Sequence, residues 1–389
     1  MFVKLNNSYK KNSESLKLLL EQIYYVDPRI INANYESGGV EILFDDDGIN
    51  KNRIRSRIKK LSSSIAQSFE RVETNIIFQD EGNVTFNSDP MPTLIKTKQV
   101  IETYPGVYAL QGDFLDSINY MDSIFNKYAF KRGAIEQHFQ PTLPTRSFLE
   151  NGYISSFPHH PLFVAPIERN IDSINSVAQS IKDDDHGFNN KFLDSKLDAH
   201  EQILSPTVCY HCFETLRGAT IPKNGVQYTA IGSCHRNESK NINDLERLQS
   251  FTMREIIFLG NAEFVESCRQ EIMDHCKNIM IEWGLKFRIV TASDPFFTSE
   301  AQLKRIYQTA MALKYEIQAY LPYLDKWISI ASFNNHQSSL VDLYNISFNT
   351  KEQLVSGCVG YGYERMGLAK LSQLGINKKG LPEEKEFLR

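Results

Sequence analysis

Nowhere in the sequence do about 18 uncharged apolar residues run together, so no membrane-spanning helix is expected. The opening run MFVKLNN also lacks the apolar core of a signal peptide, which makes the cytoplasm the expected compartment. Cysteine is scarce: six in 389 residues, at Cys209, Cys212, Cys234, Cys268, Cys276 and Cys358. In a reducing compartment that count argues against a disulfide framework and leaves the thiols for metal binding, chemistry or core packing. Basic charge is not in excess, with 43 Lys and Arg against 47 Asp and Glu and a net charge of −4. A protein that grips a whole tRNA needs a basic surface against the phosphates, and the overall balance supplies none. No internal repeat, low-complexity tract or separate long coiled-coil arm is visible. What remains is an ordinary globular composition, long enough for one large domain and a smaller one.

The first 90 residues read as a small α+β unit. Leu16, Leu19, Leu20 and Ile23 have helical spacing, which predicts a helix over 13–25. Residues 40–44 predict a strand that ends in the acidic turn at 45–48. A second amphipathic helix is expected over 51–69, and its first ten residues, KNRIRSRIKK, carry six basic side chains. That run reads either as a solvated helix face or as a docking surface for an acidic protein or nucleic acid. The polar stretch 80–95 is broken by Pro90 and Pro92 and places the boundary between a small domain over 1–90 and a catalytic domain over 96–389. In the larger part, a strand is predicted at 107–110, a helix at 114–130 and an exposed polar segment at 183–200. A strand at 226–234 is expected to pair antiparallel with 251–259, and a helix at about 262–283 carries Cys268 and Cys276 as core residues.

Three segments carry chemistry: SCHRNES at 233–239, RLQSFTMRE at 247–255 and GCVGYGYER at 357–365. The first two read as a strand ending in Arg-x-Glu, a polar loop and a returning strand, which would set Arg236, Glu238 and Phe251 on one sheet face. The planar guanidinium suits a phosphate, the carboxylate can accept from an exocyclic amine, and the ring can stack on a purine. The third segment is G-x-G-x-x-R running into an apolar helix, where small residues and a helix N-terminus admit an anion and Arg365 reaches a γ-phosphate. A dinucleotide-binding reading fails, because no strand, Gly-rich turn and helix with a downstream acid surrounds it.

In this order, R-x-E, the returning R-x-x-x-F and G-x-G-x-E-R resemble motifs 2 and 3 of the class II aminoacyl-tRNA synthetases. More narrowly, the chain resembles the amino acid:[carrier protein] ligases, which are similar to the catalytic core of the atypical, zinc-dependent seryl-tRNA synthetases. The segments are GYISSFPHH (152–160), TVCYHC (207–212), SFTMREIIFLG (250–260), ASDPFF (292–297), LKYEI (313–317), ASFNNHQ (331–337) and CVGYGYERMGLA (358–369). The likeness covers about 140 to 375 and leaves the first 95 residues outside it. It implies an α+β fold in which helices flank an antiparallel sheet, and a homodimer formed around 135–165.

The resemblance further implies a catalytic zinc held by Cys209, Glu255 and Cys358. Two thiolates and one carboxylate are three protein ligands, which leaves the open position typical of a catalytic zinc for the α-amino group of an amino acid. Two other readings of the cysteines stand beside it: a closed structural site from Cys209, Cys212, Cys234 and His235, and thiols that are all core. The implied chemistry is attack of an amino-acid carboxylate on ATP to give an aminoacyl adenylate. Arg236 would hold the α-phosphate, Arg365 and Arg247 the β- and γ-phosphates, and Mg2+ would share their charge. Phe251 would stack on adenine and Glu238 accept from its amino group, while Glu316, Asn334 and His336 read either as lining the amino-acid pocket or as satisfied polar groups of the core.

The implied acceptor is the phosphopantetheine thiol of a small acidic carrier protein, which the basic run at 51–60 would dock, and the implied substrate is glycine, alanine or serine. The alternatives are a seryl-type tRNA ligase and a non-catalytic paralogue. The chain departs from the family pattern at Thr298-Ser299, at the Ser-Ser-Leu after residue 337, and near Ser329, where no acid matches the synthetase magnesium ligand.

Overall fold

The computed structural model describes residues 1–5, 9, 13–45, 49–69, 75–183, 190–199, 201–294, 307–309 and 311–375. The expected elements of the N-terminal unit are present. Helices Ser13–Ile23 and Lys51–Phe69 accompany an antiparallel sheet with Gly39–Phe44 between Phe2–Lys4 and Ile30–Glu36. Ser37 and Gly38, with φ of 48° and 80°, form a two-residue hairpin turn whose left-handed backbone matches the twist of its strands. Leu19, Ile23, Val40, Ile42, Ile58 and Ile65 build a core of the unit's own.

The boundary does not fall where proline and polarity suggested. Strand Ile76–Asp80 pairs with Phe287–Thr291 at the edge of the large sheet, so this piece of 1–90 lies with the catalytic part. Ile76 and Ile77 are each 54% exposed, and an edge strand this open shows little of the apolar alternation that reveals a strand in sequence.

The large sheet has eight strands in the order Ile76–Asp80, Phe287–Thr291, Lys314–Leu321, Lys326–Gln337, Val355–Gly362, Ser250–Gly260, Val226–His235 and Ile135–Glu136. Every neighbouring pair is antiparallel except the last. Helices Gly112–Lys131, Ala262–Glu282 and Tyr363–Leu374 cover one face. Their apolar sides and alternate strand residues, including Ile256, Phe258, Val359, Tyr361 and Phe333, form the main core. Cys268 and Cys276 are buried in it, as their spacing predicts.

The period of two sends Glu255, Cys358, Asn334 and His336 to the opposite face. There, the short helices Cys209–Thr215 and Tyr153–Ser156 help to line a cavity of about 920 Å3. The polar segment expected at 183–200 is described only in part: Asn190–Asp194 is a short helix, and residues 184–189 and 200 lie outside the described residues. The second half of ASDPFF, after Asp294, also lies outside them.

Candidate active site and metal centre

Glu255 sits at the centre of the sheet, paired with Ala230 on one side and Gly360 on the other. Cys358 lies two residues from Gly360 on the same face, which makes it the diagonal neighbour of Glu255. Cys209 enters from the first turn of its helix. Ligand atoms of Cys209, Glu255 and Cys358 lie within 4.8 Å of one another, and all three residues are buried. Among the described residues no other group of His, Cys, Asp and Glu comes close enough to hold a metal. The alternative site from Cys209, Cys212, Cys234 and His235 is therefore not assembled, with Cys212 and Cys234 buried in separate apolar clusters.

The bonding around Glu255 fits a metal. Oε1 accepts from the Thr207 hydroxyl and from the Val208 amide at 3.0 Å. Oε2 is buried and accepts no hydrogen bond from any described residue. A buried carboxylate oxygen without a donor costs on the order of 1–3 kcal/mol unless something supplies positive charge. Burial and the neighbouring Cys358 push the Glu255 carboxyl up to about 8. Cys209 and Cys358 form a hydrogen-bonded thiol pair, and the proton stays on Cys209. The Cys209 contact, then His336 and Asn334, favours thiolate at Cys358. His336 places Nε2 3.5 Å from the Cys358 sulfur, and its Nδ1 lies 3.2 Å from the Ser356 hydroxyl. Asn334 Nδ2 lies 3.5 Å from the same sulfur.

The cavity wall also carries residues to which the sequence reading gave no role. The Tyr153 hydroxyl lies 3.1 Å from His160 Nδ1. Burial, then His159, pushes His160 down to about 2 and keeps it neutral. Asp294 and Lys314 form an ion pair at 2.5 Å, with Gln308 donating to the same carboxylate at 2.9 Å. Asn334 and His336 line the cavity. Glu316 is on the right face but outside the lining, 3.5 Å from Lys314. Of these, Tyr153 and His160 fall inside the family-like GYISSFPHH and were within reach of the sequence. Asp294 and Lys314 likewise fall inside the family-like ASDPFF and LKYEI, but their pairing joins two segments and leaves no local pattern.

The expected nucleotide residues are brought together, with one difference. Arg236 lines the cavity and holds its guanidinium 5.1 Å above the Phe251 ring. Its Nε donates to the Pro206 carbonyl at 3.1 Å, and its terminal nitrogens make no hydrogen bond to a described residue. The strand ends at His235, however, so Glu238 does not share a sheet face with them. It begins the short 3-10 turn Ser239–Asn241 instead, and Arg247 binds it at 3.1 Å. Arg365 stands in the first turn of Tyr363–Leu374 and donates to the carbonyls of Glu246 at 2.5 Å and Ser329 at 3.4 Å.

Residues 192–373 match the tRNA synthetase class II core domain (G, H, P, S and T). With the large antiparallel sheet and its helical cover, this makes the chain a ligase built on the class II synthetase core. Within that class it is similar to amino acid–[acyl-carrier-protein] ligase 1 of Bradyrhizobium diazoefficiens, 27% identical over 278 residues, 71% of this chain and 82% of the relative. It is also similar to the type-2 serine–tRNA ligase of Methanopyrus kandleri, 22% identical over 377 residues, 90% of this chain and 71% of the relative. That second span is too long to leave out the N-terminal unit, so the likeness reaches beyond 140–375. Among solved structures, M. kandleri seryl-tRNA synthetase in complex with A. aeolicus tRNASec has the same fold, with a TM-score of 0.73 and 20% identity over 92% of this chain and 73% of that one. No helix among the described residues is long and apolar enough to cross a membrane.

Proposed function

We propose that this chain activates a small amino acid (glycine, alanine or serine) with ATP and transfers it to the phosphopantetheine thiol of a carrier protein. The observation that carries the reading is that Glu255, with its unpartnered Oε2, and two cysteines share one cavity with Arg236. Cys209, Glu255 and Cys358 would hold a zinc ion, which when bound supplies a Lewis-acid position for the α-amino group. The chain's own residues do the rest. Arg236 neutralises the α-phosphate as the amino-acid carboxylate attacks and pyrophosphate leaves. Its guanidinium covers the Phe251 ring, so purine binding requires it to swing toward the phosphate. Arg247 and Arg365 hold the β- and γ-phosphates with Mg2+, and Glu238 keeps its Oε1 for the adenine amino group, since Arg247 uses Oε2. Asn334 and His336 fix the Cys358 sulfur and bound the amino-acid pocket, and Glu316 acts from just outside it. Little covalent work falls to the protein, so positioning and fixed charge dominate.

Carrier docking is assigned to the basic start of Lys51–Phe69. Ile54 and Ile58 anchor the helix in the core, while Arg53, Arg57, Lys59 and Lys60 face solvent, and no carboxylate pairs with any of them within 4 Å among the described residues. The large domain is proposed to pair with a second copy near 135–165, where Ile135, Leu149 and Phe163 are exposed.

A second reading, a seryl-type tRNA ligase, is favoured by one observation: the match to the M. kandleri enzyme takes in the N-terminal unit. ATP–pyrophosphate exchange across the twenty amino acids, followed by transfer assays to holo-carrier protein and to tRNA, decides between them. Exchange with a small amino acid and transfer to carrier alone is the expected outcome. Transfer to tRNA alone would establish the second reading, and no exchange with any amino acid in metal-replete protein would refute both.

A further inference from the structure

The N-terminal unit is not a free appendage. Asn241 Nδ2 donates to the Glu21 carbonyl at 3.0 Å, and Lys240 Nζ donates to the carbonyls of Ile30 at 2.8 Å and Pro28 at 3.0 Å. These bonds seat helix Ser13–Ile23 on the loop that follows Arg236. At that seam, Glu21 Oε1 lies 2.6 Å from Arg247 Nη2, and Arg247 also holds Glu238. Lys17 is one helical turn before Glu21 and so projects on the same side. Its side chain is open to solvent, and the charged groups that face it are Glu21, Lys326, Arg247 and Arg365.

The charge balance in this cluster is uneven. Lys326 is paired with Glu246 at 2.5 Å, and Arg247 has two carboxylates. Among the described residues, Arg365 bonds only to carbonyl oxygens, and Lys17 makes no hydrogen bond or ion pair. Two cations without a carboxylate partner therefore converge on the same seam. The protein massed around Lys17, together with its cationic neighbours, pushes its pKa down against Glu21, which raises it. Such a convergence is unfavourable until an anion enters, and it is the arrangement a phosphate chain binds.

We infer that Lys17 is a ligand to the terminal phosphates of ATP, and to pyrophosphate, so that the N-terminal unit completes the nucleotide site next to Arg365 and Arg247. This rests on the reading of that site as an ATP site. The unit then serves the first half-reaction and not only acceptor docking.

Isothermal titration of the full-length protein with ATP, pyrophosphate and AMP in Mg2+ buffer tests it, with Lys17→Ala and Lys17→Arg beside the unaltered chain. Removing one charged hydrogen bond to phosphate is expected to weaken ATP and pyrophosphate about tenfold. AMP, which lacks those phosphates, should change less than about twofold, and Lys17→Arg should recover most of the loss. Lys17 is exposed on its helix, so circular dichroism should match the unaltered chain. Equal weakening of ATP and AMP, or ATP affinity unchanged in Lys17→Ala, overturns the inference. The two claims fail separately. A chain that exchanges pyrophosphate normally but binds ATP without regard to Lys17 sinks only this one. A chain that binds ATP through Lys17 yet activates no amino acid sinks only the proposed function.

Discussion

Arg254 and Glu255 are consecutive residues on one strand, both buried, and they point to opposite faces of the large sheet. On the helix-covered face, Arg254 is saturated. Asp122 takes it bidentately at 2.5 and 3.0 Å, and Asn126 and Thr229 each accept from it at 3.0 Å. On the cavity face, Glu255 keeps one oxygen with no donor among the described residues, beside a hydrogen-bonded pair in which Cys209 holds the proton and Cys358 favours thiolate. Both burials cost desolvation. The first is offset within the chain and ties Gly112–Lys131 to the sheet. The second is left open, and a buried carboxyl oxygen without a partner among the described residues is what a binding site looks like before its ligand arrives.

The largest expected effect is on the open face. Cys358→Ala, or Glu255→Gln, should reduce bound zinc from about one per chain to near none and lower amino-acid activation about a thousandfold, the several kcal/mol that a metal contributes. Metal analysis alongside exchange rates checks this, and an active zinc-free variant would erase the contrast between the faces. On the closed face, Arg254→Met removes one partner of a saturated pair and leaves Asp122 uncompensated. It should lower unfolding stability by about 3 kcal/mol in guanidinium titrations while the folded protein retains its zinc. A comparable loss of zinc would mean the two faces are not separable.

A finer test concerns the residues behind the ligands. His336→Ala should weaken zinc affinity about tenfold to a hundredfold without removing it, because His336 contacts Cys358 from outside the ligand set. The smallest effect is expected furthest from both faces. Reversing Arg53, Arg55 and Arg57 to Glu should raise the KM for carrier protein about tenfold more than the KM for ATP, and the difference should shrink with added salt. Equal changes in both constants would remove the docking assignment.

The contrast between the faces was only half legible in the sequence. Local patterns were good guides. The apolar spacing between Lys51 and Phe69 marks that helix at both ends, and the hairpin of Val226–His235 with Ser250–Gly260 follows from its alternation and turn. The proposed metal ligands come from three distant segments, and only the resemblance joined Cys209, Glu255 and Cys358, since spacing alone equally allowed Cys212 and Cys234. Phe287–Thr291 and the edge strand Ile76–Asp80 carried no strand expectation, the latter because its face is open. Glu238 was misplaced because Arg-x-Glu was read as the end of the strand, which stops at His235. The ion pair from Glu21 to Arg247 links residues 226 apart in sequence and leaves no trace in either segment.

Zinc K-edge X-ray absorption on metal-replete protein tests the central claim most directly. A site built from Cys209, Glu255 and Cys358 predicts two sulfurs at about 2.3 Å with the remaining ligands oxygen or nitrogen at about 2.0–2.2 Å, and no third sulfur. A shell with three or more sulfurs, or a protein that binds no zinc at all, would contradict it.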